Sequence, residues 1–227
     1  MPHALITGAS QGFGRALLAE LVRRSWTCTV DARDAAALHA ATADLPGVRA
    51  VPGDVADPGH RTAVVNAAGN PLDLLVHNAS ALGPSPLPVL ADYPLDALRH
   101  VYEIDVIAPL ALTQLALPAL GQAPGPTVVV LSSDAAVEPY PGWGGYGSAK
   151  AALDQMAAVL AVEQPGLRVY AVDPGDMRTA MHQAAFPGED ISDRPEPASV
   201  VPAVLRLLDE RPDSGRYRAA DLLAAAR

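Results

Sequence analysis

His3-Ala-Leu-Ile6-Thr7-Gly8-Ala9-Ser10-Gln11-Gly12-Phe13-Gly14 is the stretch that decides the fold of this chain. A short apolar run leads straight into a glycine-rich turn. Residues 15–24 follow as an amphipathic segment, with Leu17, Leu18, Leu21 and Val22 at helical spacing. Strand, glycine turn and helix, in that order, is the setting of a dinucleotide-binding loop. The glycines allow a tight turn and a close approach to a pyrophosphate, and the free N–H groups at the helix N-terminus face the anion. Glycine turns end many strands, so the remainder of the chain has to agree.

It does agree. Short apolar runs alternate with longer helical patterns along the whole length. Strands are expected at 3–6, 27–31, 48–51, 72–77, 127–132, 167–172 and 216–219, and helices at 15–24, 35–43, 59–68, 95–117, 147–162 and 198–208. This alternation implies an α/β fold of the Rossmann type, a doubly wound parallel sheet of about seven strands with helices on both faces. Val128-Val129-Val130-Leu131 is apolar on both faces, as a buried parallel strand requires. No internal repeat is present, and the Pro-containing stretches at 83–88 and 121–126 are too short for linkers. Residues 1–227 are therefore expected to form one domain. The long irregular stretch 181–197 follows the sixth strand, beyond whose carboxyl end a ligand would sit, so 178–198 is a candidate lid.

Composition sets the bounds. With 227 residues, half of them hydrophobic, the chain can bury a substantial core. A net charge of −9 argues against nonspecific binding to nucleic acid or anionic membrane. No apolar run suggests a membrane span, and the N-terminus carries neither the basic nor the apolar region of a signal peptide. Cys28 is the sole cysteine, so neither an intrachain disulfide nor a thiolate metal cluster is expected. A cytoplasmic protein without a metal site is the expectation.

The chemistry is carried by Tyr146-Gly147-Ser148-Ala149-Lys150. A Tyr and a Lys four residues apart share one helix face. Upstream, Ser133 stands at the end of the apolar run that begins at Thr127, with Ser132 as its competitor. A phenol, an ammonium and a hydroxyl brought together can pass a proton to or from a carbonyl oxygen. Tyr titrates near pH ~10, and an adjacent cation is expected to lower that value.

Taken together these elements resemble the short-chain dehydrogenase/reductase family over nearly the full chain. Thr7–Gly14 matches the family's Thr-Gly-three-residues-Gly-any-Gly loop, which places Gly8, Ser10, Gln11, Gly12, Phe13 and Gly14 at the cofactor. Gly53-Asp54-Val55 resembles the turn that contacts adenine, and His77-Asn78-Ala79-Ser80 resembles an Asn-Asn-Ala-Gly element. Asp173-Pro174-Gly175 through Met177 and Thr179 resembles the segment that holds the nicotinamide side. Ser133, Tyr146 and Lys150 fall on the catalytic positions. The resemblance implies that Tyr146 exchanges a proton with the substrate oxygen while the nicotinamide transfers hydride. Ser133 would hydrogen-bond that oxygen, and Lys150 would tune Tyr146 and hold the ribose.

Two positions depart from the pattern. The family usually has an Asn in the long fourth helix, where it bends the backbone and holds a water of a proton relay; here Asp105 stands there. Asp can still accept from that water, but its charge beside Lys150 would stabilise both charged forms and blunt the effect of Lys150 on Tyr146. Activity is expected to survive with a shifted pH profile. His77 and Ser80 are the second departure; Asn78 and Ala79 keep the backbone contacts, and His77 is expected to be a satisfied strand-end histidine.

Cofactor choice rests on Thr29-Val30-Asp31-Ala32-Arg33-Asp34. Aligned on the family, Ala32 takes the selecting position and Arg33 the basic one that marks NADP(H), since a guanidinium pairs with phosphate in a fork. A shift by one residue would make Asp31 a selector for NAD(H), and both readings stand. The substrate is expected to be a carbonyl or secondary alcohol, with Met177, Met181, Phe186, Tyr140 and Trp143 as candidate pocket residues. Asp134 and Glu138 are expected to be solvated loop acids. A sugar-nucleotide-modifying branch with the same Tyr and Lys carries an extra C-terminal domain, and a non-catalytic NADP(H)-binding scaffold or redox sensor is the other alternative. Family members commonly form dimers or tetramers, and Ala151, Ala152, Ala157 and Ala158 suit a close helix contact in such a homodimer or homotetramer.

Overall fold

The computed structural model of the chain describes residues 1–225. Among the described residues, seven parallel strands form one sheet in the order β3-β2-β1-β4-β5-β6-β7. They are β1 (His3–Ile6), β2 (Thr27–Ala32), β3 (Val48–Pro52), β4 (Leu74–His77), β5 (Thr127–Leu131), β6 (Arg168–Asp173) and β7 (Gly215–Arg218). The strand sequence reverses direction between β1 and β4, which opens a crevice beyond their carboxyl ends.

Strand alternation sends neighbouring residues to two separate cores. Ala4, Ile6, Val129, Leu131, Tyr170 and Val172 pack on one face against helices α1 (Gly12–Arg23) and α8 (Val201–Glu210). Leu5, Val128, Val130, Val169 and Ala171 pack on the other face, against α3 (Pro58–Ala68), α5 (Ala108–Leu120) and α6 (Gly144–Glu163). The remaining helices are α2 (Ala35–Thr42), α4 (Leu95–Tyr102), α7 (Ala180–Ala185) and α9 (Ala219–Ala224).

Four expectations are corrected. Residues 95–117 do not form one regular α-helix: α4 and α5 are joined by a π-helical turn, Glu103–Ile107, with Asp105 inside it. A π-turn inserts a residue into the helical ladder and commonly marks a functional site. The continuous helix Leu95–Leu120 is 26 residues long and contains an 18-residue window with a mean hydropathy of 1.4, enough to cross a bilayer by length and composition, although no apolar run of that length was expected. More than half of that window, 56%, is buried inside the protein, as suits a core helix. The lid stretch is not wholly irregular either. Thr179 accepts from the His182 N–H at 3.1 Å, a side-chain cap that starts α7. Finally, α9 follows the last strand where no helix was expected.

Close packing at the first turn fixes the site. A Cβ at Gly14 would lie 2.7 Å from the Gly8 carbonyl oxygen and closer still to the Asn78 amide. Gly14→Ala is therefore expected to lower stability by about 1–3 kcal/mol, read as a reduced urea midpoint. Asp105 carries a separate cost. It is fully buried, and burial pushes its carboxyl up from 3.8, against the opposing pull of Lys150 and of the Ala81 N–H. A folded pKa above the unfolded one contributes stability below the unfolded value, and that contribution is lost as pH rises through the folded value. The melting temperature of Asp105→Asn should therefore gain on the wild type as pH is raised from about 4 to about 7. A gap that stays constant with pH would contradict the burial of a titrating carboxyl.

Candidate active site

Thr7, Asn78 and Gly8 lace the ends of β1 and β4 together. The Asn78 side-chain amide donates to the carbonyls of Thr7 at 2.8 Å and Gly8 at 2.9 Å. The Thr7 hydroxyl accepts from the backbone N–H groups of Asn78 at 3.1 Å and Ala79 at 3.0 Å. Gly8 and Gly12 have φ of +68° and +58°, a left-handed backbone that glycine adopts without strain. Gln11, the N-cap of helix α1, makes no side-chain cap among the described residues, so the first N–H groups of the helix are left to an outside acceptor. An uncapped helix start behind two positive-φ glycines is a cradle that fits a pyrophosphate.

Around this loop opens a cavity of about 620 Å³, within the range of small-molecule sites. Its wall includes Gly8, Ser10, Gln11, Gly12, Phe13, Arg33, Asp54, Val55, Asn78, Ala79, Tyr146, Lys150, Pro174, Met177 and Thr179, all expected from the sequence. Four other expected residues are not on this wall. Gly14 lies behind the loop, Gly175 turns at φ +70° with its N–H on Asp173 Oδ1, and Asp105 and Ser133 stand close by.

At the adenosine end Asp31 is committed to the fold. It is fully buried, accepts from the Gly8 N–H at 2.8 Å, and its other oxygen lies 3.1 Å from His60 Nε2. The His60 ring in turn fills the space above Gly53, where a Cβ would collide with it. Burial raises the Asp31 carboxyl, opposed by His60 and by the Gly8 N–H. Arg33 is exposed on the cavity wall, and Asp34 caps α2 by accepting from the Ala37 N–H at 3.0 Å. No local pattern in the sequence pointed to His60, which arrives from α3.

At the reactive end Tyr146 and Lys150 share the inner face of α6. The Lys150 ammonium sits 5.4 Å from the Tyr146 ring centre and donates to the Leu131 carbonyl at 2.9 Å. The expected lowering of the Tyr146 pKa is corrected. Burial pushes the phenol up and outweighs the Lys150 charge, Asp105 adds to the rise, and Ser80 and Ser133 act to lower it. Asp105 does not pair directly with Lys150 among the described residues; its hydrogen bond is from the Ala81 N–H at 2.9 Å. Ser133 donates to Asp134 Oδ1 at 3.0 Å and accepts from the Ala135 N–H at 3.2 Å. Ser132, which does line the cavity, is committed to Asp154 Oδ2 at 2.7 Å. Asp134 is thus held by Ser133, Ala135 and the Tyr140 hydroxyl, not merely solvated. His77 is only half satisfied: Nε2 meets Thr113 at 2.8 Å while Nδ1 is buried without a partner among the described residues, and burial drives the ring down to about 3.

One guanidinium, unforeseen in the sequence, ties this end together. Arg216 on β7 donates to the Ser133 carbonyl at 2.9 Å, to Asp173 at 3.1 Å and to Asp154 at 3.0 Å. Above Tyr146, Met181, Ala184 and Ala185 of α7 pack with Trp143 and Leu82. Trp143 meets Tyr146 edge-on at 5.8 Å and Phe186 at 6.0 Å, so the mouth of the site is aromatic and apolar.

Comparison with known proteins accords with this geometry. The family model described as short chain dehydrogenase matches residues 2–190. Sepiapterin reductase of Meriones unguiculatus is 35% identical over 199 residues, spanning 80% of this chain and 76% of that protein. A protein of Arabidopsis thaliana named NADPH-dependent aldehyde reductase-like is 31% identical over 78% of this chain and 73% of its own length. A short chain dehydrogenase of Shigella flexneri, solved in complex with NADP, superposes with a TM-score of 0.89 at 29% identity, covering 96% of this chain and 97% of that one. A seven-stranded parallel sheet, a glycine loop at its crevice and a Tyr–Lys pair on the facing helix thus coincide with these matches, and the chain belongs to the short chain dehydrogenase family of oxidoreductases.

Proposed function

We propose that this chain reduces a ketone or aldehyde to an alcohol with NADPH, or runs the reverse reaction, using Ser133, Tyr146 and Lys150. The observation that carries the proposal is that Tyr146, Lys150, the glycine loop and Arg33 all face one cavity. When bound, the reduced nicotinamide supplies the hydride. Tyr146 gives its proton to the substrate oxygen, which suits a phenol that burial keeps protonated. Ser133 orients that oxygen once its hydroxyl turns from Asp134. Lys150, anchored on Leu131, holds positive charge beside the developing phenolate and binds the ribose.

Arg33 is the residue for a 2′-phosphate, because Asp31 already spends both carboxylate oxygens on Gly8 and His60. The NADP complex of the Shigella relative supports the same choice. The reductase names of the Meriones and Arabidopsis relatives support a carbonyl substrate. The chain works as one cofactor-binding unit whose segment 178–198 closes over the substrate. Apolar residues left exposed on α5 and α6, among them Leu110, Val159 and Val162, suit assembly with a second copy, and a cytoplasmic location fits the whole.

Tyr146→Phe should lower kcat by ~10²-fold or more with NADPH and a simple diketone such as diacetyl, while leaving NADPH binding, followed by fluorescence, nearly intact. Arg33→Ala should raise the Kd for NADPH roughly tenfold, the loss of a charge-assisted phosphate contact, and leave that for NADH unchanged. Equal effects on the two cofactors would sink the assignment of Arg33.

A further inference from the structure

Two of the positions at which this chain departs from its family's pattern lie side by side. Asp105 Oδ1 accepts from the N–H of Ala81, so the carboxyl is fastened to the residue next to Ser80. Its other oxygen, Oδ2, is buried without a hydrogen-bond partner among the described residues, and so is the Ser80 hydroxyl. Ser80 lines the same cavity as Tyr146 and Lys150. Buried polar groups are almost always paired, so two orphans set next to each other beside a reactive phenol call for a common explanation.

Resting on the reductase reading above, we infer that Ser80 is a proton-relay residue, its hydroxyl carrying a proton from the Asp105 carboxyl to Tyr146. The groups facing Asp105 suit it to the role. Lys150 on α6, His100 on α4, and Ser80 and the Ala81 N–H after β4 pull its proton off, yet burial outweighs them and raises the carboxyl above its ordinary value. Tyr93, whose hydroxyl is also buried and unpartnered, feels the Asp105 charge. The Ser80 hydroxyl stands beside both acids without a formed bond to either, and its proximity acts to lower each. A carboxyl raised in this way takes up a proton more readily than one in water, and in its protonated form it can donate, which a carboxylate cannot.

The balance is simple. The substrate carbonyl carbon gains a hydride from the reduced nicotinamide, and the carbonyl electron pair moves to oxygen, which takes the Tyr146 proton. The Ser80 O–H proton passes to the phenolate oxygen while the Asp105 O–H proton passes to Ser80 Oγ. The serine is restored, Tyr146 is again a phenol, and the proton lost by Asp105 is replaced from bulk water. In the oxidative direction every transfer reverses. An Asn at position 105 could hold a water, but it has no acidic proton to give.

The test uses the full-length protein and two readouts. The first needs no cofactor: the infrared carboxylic-acid carbonyl band that disappears in Asp105→Asn belongs to Asp105, and it should shift in Ser80→Ala and in Ser80→Gly. The second is turnover of diacetyl with NADPH. Both Ser80 variants should lose about tenfold in kcat with the KM for NADPH unchanged, and Ser80→Thr, which keeps a hydroxyl, should recover most of the rate. An Asp105 acid band that is missing from the wild type, or unmoved by either Ser80 variant, overturns the relay. A shifted band with undiminished kcat overturns the relay. A wild-type protein inactive on diacetyl overturns the reductase reading and the relay that rests on it, whereas loss confined to the Ser80 variants supports both.

Discussion

Everything at this site depends on one side-chain amide. By donating to two successive carbonyls at the end of β1, Asn78 holds the ends of β1 and β4 at a fixed separation. That separation is the crevice. The glycines follow from it, since Gly14 must pass under the amide and Gly8 must turn against Ala79 with no room for a side chain. Polar groups buried at such a junction are expensive unless each is paired, and here Thr7 and Asn78 satisfy one another almost completely.

The reactive end is built on the opposite principle, because several of its polar groups are left short. Ser80, Asp105 and His77 each keep a buried atom unpaired, and Tyr146 is buried against the preference of its charged form. Such groups cost free energy in the resting protein. The sheet and its two apolar cores supply the stability that tolerates them, and the π-turn at Glu103–Ile107 points Asp105 inward at the one place where the long helix departs from regular geometry.

How much of this was legible in the sequence depends on the range of the signal. Strand β1 was expected at its observed limits, because an apolar run ending in a glycine turn is a local pattern. The loop residues and the Tyr146–Lys150 pair were legible for the same reason. The π-turn was not, since the residues around Asp105 read as ordinary helix and the extra residue in the ladder is set by packing. Nor were His60 and Arg216, which reach the site from α3 and β7 and carry no motif of their own. The direction of the Tyr146 shift was missed because a nearby cation is visible in the sequence while the depth of burial is not.

Arg216 gives the chain an order of events. The carbonyl of Ser133, the carboxylate before Pro174 and the acid that holds Ser132 all converge on a guanidinium from the last strand. During synthesis the glycine loop leaves the ribosome before β7, because it precedes β7 along the chain. The three contacts that Arg216 makes at the reactive end can form only once β7 has left the ribosome and docked beside β6. The residues of the cradle thus precede in the chain the strand that ties the Ser133 carbonyl to Asp173 and Asp154, and β7 acts as a latch on the reactive end.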